Sequence, residues 1–116
     1  MVQALADNLR AAKGKVINVS SQVGSFEVAP RIGRDASYAS SKAALNMLSL
    51  KQSQVLQPDG VSVIALHPGW VRSDMGGPRA TLEPADAASS IASVVDGLTI
   101  DQTGSFLQWD GSVHPW

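Results

Sequence analysis

Two short runs constrain this chain most: Lys15 to Ser20 (Lys-Val-Ile-Asn-Val-Ser) and Val61 to Leu66 (Val-Ser-Val-Ile-Ala-Leu). Both are rich in β-branched residues and carry apolar side chains on both faces, the pattern of a strand buried between two helical layers. The segments around them read as helices. Val2 to Lys13 places Leu5 and Leu9 four apart, with Gly14 where a helix would stop. No capping residue precedes this helix, as if Met1 lay inside a longer one. Ser21 to Ala36 carries Gly24, Pro30 and Gly33 without a clean period and reads as a loop.

A second helix, capped by Asp35 or Ser37, runs to about Leu56, where Pro58-Asp59-Gly60 forces a turn. Ala44, Leu45, Leu48 and Val55 are its expected packing stripe. His67 to Arg79 is a loop rich in glycine and proline. Pro84 opens a third helix that ends near Asp96, with Gly97 as a left-handed cap. Gly104 to Trp109 is a third strand, followed by an Asp110-Gly111 turn. Helices alternating with strands imply parallel strands, right-handed crossovers and a three-layer α/β sandwich. Ligands of open α/β sheets bind beyond the carboxyl ends of the strands. That rule brings Ser21, Tyr38, Lys42 and the segment Pro68 to Ser73 to one rim.

Tyr38 is the only tyrosine and stands four residues before Lys42. On a helix that spacing is about one turn, a rise of roughly 6 Å, so phenol and ammonium share a face. A cation beside a phenol favours the phenolate, which suits general acid/base work. Other chemistries are poorly served. The net charge of -1 is scattered and leaves no footprint for nucleic acid or an anionic membrane. There are no cysteines, and the two histidines, His67 and His114, are far apart, so no metal site is expected. His67 reads as a structural histidine. No apolar run approaches the about 20 residues that span a bilayer, and no secretory signal is visible, so a cytoplasmic protein is expected.

Three motifs in order resemble a known family: Asn18-Val19-Ser20-Ser21, then Tyr38-Ala-Ser-Ser-Lys42, then His67-Pro68-Gly69-Trp70-Val71-Arg72-Ser73-Asp74-Met75. Together they resemble the C-terminal half of a classical short-chain dehydrogenase/reductase. Gly69 to Pro78 and the ending Gly111 to Trp116 most resemble its sniffer-like and C-factor-like carbonyl reductases. The resemblance implies the C-terminal part of a Rossmann-like doubly wound parallel sheet. Residues 1–116 would form a single partial domain, with the N-terminal βαβ units missing.

The resemblance also implies roles. Tyr38 would be the acid/base in hydride transfer between a nicotinamide cofactor, NADP or NAD, and a small-molecule carbonyl or secondary alcohol. Lys42 would hold the nicotinamide ribose and support Tyr38, and Ser21 would donate a hydrogen bond to the substrate oxygen. Ser20 and Ser25 compete with Ser21 for that role. Pro68, Gly69, Val71 and Ser73 would line the nicotinamide side, where the family usually has threonine at the position of Ser73. Homo-oligomers through the tyrosine-bearing helix are common in the family. Two departures matter: the glycine-rich dinucleotide fingerprint and the Asn-Ala-Gly motif have no counterpart in these residues. They leave an alternative, a truncated non-enzymatic fragment or short isoform. An epimerase or dehydratase sharing Tyr-x-x-x-Lys fits Pro68 to Ser73 less well.

Overall fold

The computed structural model describes residues 1–33 and 35–116; Arg34, in the expected loop, lies outside them. Among the described residues, three α-helices and three strands alternate: α1 (Ala6–Ala12), β1 (Lys15–Val19), α2 (Ala36–Leu56), β2 (Ser62–His67), α3 (Pro84–Gly97) and β3 (Phe106–Gln108). The strands form one parallel sheet in the order β1-β2-β3. Ile17 lies opposite Ile64, and Leu66 opposite Leu107. This is the expected α/β architecture.

Alternation along β2 builds two cores, because successive side chains leave opposite faces of a strand. Ile64 and Leu66 pack with Leu98 and Leu107, against Ile17 and against Ile91 and Val94 of α3. Val61 and Val63 pack with Leu56 of α2, against Val16 and against Leu9 of α1. Helices therefore cover both faces of the sheet. Every residue of β2 is buried. Each fully buried Leu or Ile in such a core contributes about 1.5–3 kcal/mol.

Several expectations change. The first helix begins at Ala6, not Val2; residues 2–5 form turns, and the helix ends at Ala12, with Lys13 capping it in a left-handed conformation (φ 47°) just before Gly14. β1 is not buried on both faces: among the described residues it pairs only with β2, and Val16 to Asn18 are half-buried. Gly97 belongs to α3, and the cap is Leu98 in an extended conformation. Lys15 donates from Nζ to the carbonyls of Val95 and Asp96 at that helix end.

The packing face of α2 differs most. Ala44, Leu48 and Val55 are exposed, and Leu45 is half-buried. The buried seam is Asn46, Ser49, Ser53 and Leu56. Its polar character matches what it faces. Asn18 donates from Nδ2 to Ser49 Oγ and Gln52 Oε1, and Ser20 donates to Asn46 Oδ1. Polar groups buried at a helix–sheet contact must find partners there, and this seam supplies them.

Candidate active site

Asp35 sets the start of α2: its side chain accepts from the Tyr38 amide at 3.0 Å. Tyr38 stands in the first turn and Lys42 in the next, as the spacing predicts. Lys42 Nζ lies 5.7 Å from the centroid of the Tyr38 ring and donates to the Val19 carbonyl at 3.0 Å. The ammonium is thus fixed between the phenol and the end of β1.

The chain leaves β1 through Ser20 and Ser21 into a 3₁₀ turn, Gln22–Gly24. Ser21 Oγ accepts from the Val23 amide at 3.3 Å, and among the described residues its own proton has no acceptor. The two competing serines are committed. Ser20 donates to Asn46 Oδ1 at 2.6 Å, and the fully buried Ser25 donates to the Trp116 carbonyl at 2.9 Å. Gly24 lies flat against α2. A Cβ there would stand 2.7 Å from the Lys42 carbonyl carbon, so only glycine permits this approach.

After β2 the chain turns at Pro68 and Gly69. Gly69 has φ 87°, and a Cβ there would overlap Leu82 and lie 2.8 Å from Trp109 Cδ1. The next loop is closed at its neck. The Arg72 amide donates to the Leu82 carbonyl, the Leu82 amide donates to the Trp70 carbonyl, and Arg72 pairs with Glu83 at 2.6 Å. Trp70 Nε1 donates across the loop to the Gly76 carbonyl at 2.8 Å.

Ser21, Tyr38, Pro68, Gly69, Val71 and Ser73 all line one cleft of about 320 Å³, with Lys42 behind Tyr38. Trp70 and Met75 add an exposed apolar wall, and no charged side chain lines the cleft among the described residues. The Ser73 hydroxyl is engaged locally, accepting from the Gly76 amide at 3.1 Å. His67, read from sequence as structural, is buried and also lines this cleft. Its Nδ1 has no partner among the described residues. Burial, then the neighbouring imidazole of His114, pushes the His67 pKa down to about 4, so the ring is neutral at pH 7. Only its place in the chain, directly before Pro68-Gly69, could have signalled that it borders the cleft.

A parallel sheet covered on both faces, with a phenol, an ammonium and a free serine hydroxyl at the carboxyl ends of its strands, defines a class of α/β site. Residues 1–83 match the short chain dehydrogenase family model. The chain is 40% identical to C-signal of Myxococcus xanthus over its whole length, spanning 70% of that protein. The carbonyl reductase Sniffer of D. melanogaster superimposes over 99% of the chain with a TM-score of 0.93 and 31% identity. An NADPH-bound carbonyl reductase from chicken fatty liver does so with a TM-score of 0.85 and 36% identity. The chain spans about half the length of each of these two solved structures, 51% in both cases. The chain belongs to the short chain dehydrogenase family, and its fold is the Rossmann-like one of the sniffer-like carbonyl reductases.

Proposed function

We propose that this chain is the catalytic half of a nicotinamide-dependent oxidoreductase domain, reducing a carbonyl or oxidising a secondary alcohol. The observation that carries this reading is the convergence of Ser21 and Tyr38 on one uncharged cleft, with Lys42 fixed behind the phenol. Likeness to carbonyl reductases supports it over a non-enzymatic remnant. Carbonyl reduction adds a hydride to carbon and a proton to oxygen. Ser21 donates a hydrogen bond to the carbonyl oxygen, and Tyr38 gives that oxygen its proton. Lys42 keeps a positive charge beside the phenolate left behind, which water then reprotonates.

The cleft fits the nicotinamide end of NADP or NAD. Pro68, Gly69, Val71 and Ser73 line the side of it that would take the nicotinamide. When bound, that cofactor supplies the hydride. The substrate is a small uncharged carbonyl or alcohol that rests its apolar part on Trp70 and Met75. Cytoplasmic location and homo-oligomerisation belong to the same proposal; the exposed apolar side chains of α2, Met47, Leu48 and Val55, support the second. No helix among the described residues is long and apolar enough to cross a membrane.

Titration calorimetry of the protein with NADPH and NADH tests the reading. Saturable binding of either is expected. No heat at millimolar cofactor would refute it for this chain.

A further inference from the structure

The buried seam of α2 is polar where an amphipathic helix would be apolar, and its members do different things. Ser49 and Ser53 donate to carbonyls of their own helix, Leu45 and Leu50. Asn46, only 4% exposed, reaches outward instead. Its Oδ1 accepts from Ser20 at 2.6 Å, and its Nδ2 donates to the Gly24 carbonyl at 3.3 Å. Those two groups bracket the turn that carries Ser21. One amide therefore pins both ends of the turn to α2, one helical turn beyond Lys42.

The residue type follows from these partners. Ser20 brings a proton and Gly24 a carbonyl, so the clamp needs an acceptor and a donor on one short planar group. An ionised aspartate would set two acceptors against the Gly24 carbonyl. Leucine, similar in shape, would leave the Gly24 carbonyl without this partner and the Ser20 hydroxyl with only its long 3.5 Å contact to the Lys42 carbonyl. The glycine at 24 completes the device by letting the turn meet the Lys42 backbone, where a Cβ would stand 2.7 Å from the carbonyl carbon.

We propose that Asn46 is a positioning residue that fixes Ser21 relative to Tyr38 and Lys42 by clamping both ends of the Ser20–Gly24 turn. The proposal rests on the reading of Ser21 and Tyr38 as the groups that meet the substrate oxygen. Asn46 does not touch substrate or cofactor; it acts through Ser21.

The test compares Asn46→Ala with Ser49→Ala, a change in the same seam, equally buried and bonded to Asn18 of β1, not to the turn. Two readouts are taken. Amide hydrogen exchange at Val23, Gly24 and Ser25 should rise about tenfold or more in Asn46→Ala, as two buried hydrogen bonds are lost, and hold in Ser49→Ala. In NADPH-dependent carbonyl reduction, kcat should fall about 10- to 100-fold in Asn46→Ala alone, with the KM for cofactor little changed. If Asn46→Ala fails to fold, Ser20→Ala removes one half of the clamp and should give a smaller shift in the same direction. Equal turn exchange in the Asn46 and Ser49 variants would overturn the proposal whatever the activity. Absence of turnover in the unsubstituted protein would refute the proposed function and the catalytic purpose of the clamp, while the exchange data would still judge the clamp itself.

Discussion

Mild acid should weaken this fold through His67, by an amount that follows from its surroundings. The ring is 7% exposed and packs edge-on to His114 at 5.6 Å between centroids. Burial, and then the charge of His114, disfavour the imidazolium and push its pKa in the folded protein down from the usual 6.5 to about 4. The unfolded chain therefore binds the proton more readily. The stability contributed by the neutral ring is complete above about pH 6.5 and is lost as pH falls toward about 4. At about pH 5 the full difference would amount to about 2 kcal/mol. His67 borders an open cleft, so screening by water reduces the expected loss to about 1 kcal/mol. For a domain of this size that is a fall in Tm of roughly 4–8 °C. Urea unfolding followed by tryptophan fluorescence between about pH 7 and 5, where most carboxylates stay ionised, reads it directly. His67→Gln should remove most of the slope. Identical slopes in the variant and the unsubstituted protein would refute the reasoning.

Other consequences are as concrete. Gly24→Ala places a methyl group 2.7 Å from the Lys42 carbonyl carbon and 2.9 Å from its oxygen. It should cost about 1–3 kcal/mol in thermal unfolding and depress turnover; a neutral outcome would contradict the close approach. Lys15→Ala removes the cation from the C-terminal end of α3 and should cost about 0.3–1 kcal/mol, less at high salt. A salt-independent loss would point to packing instead. Leu48→Lys combined with Val55→Lys should convert an oligomer to monomer in sedimentation velocity; an unsubstituted protein that is already monomeric would remove the oligomer proposal.

How much was legible in the sequence depended on how local the determinant was. Tyr38 and Lys42 share a face because helical spacing alone decides it, and Asp35 caps α2 through a bond three residues long. β2 is buried throughout, as the mostly apolar run Val61 to Leu66 predicts, and its polar ends, Ser62 and His67, are buried with it. The seam of α2 was not legible, because whether Leu48 or Asn46 turns inward depends on the polar groups of Asn18, Ser20 and Gly24, which come from other elements. The exposure of β1 was likewise hidden: the same apolar residues suit a central strand or an edge, and only the strand order separates them. Gly97 fits a helix cap by type, yet the helix runs through it to Leu98. At the site, burial of Ser20 and Ser25 separates them from Ser21, a distinction three similar serines do not carry in their sequence.

The most direct measurement of the central claim is NADPH consumption by this 116-residue chain with an uncharged carbonyl substrate, repeated with Tyr38→Phe. Turnover is expected in the unsubstituted chain, with kcat lower by about 100-fold or more in the variant and cofactor binding retained. Equal turnover by both proteins would contradict the assignment of Tyr38 as the proton donor.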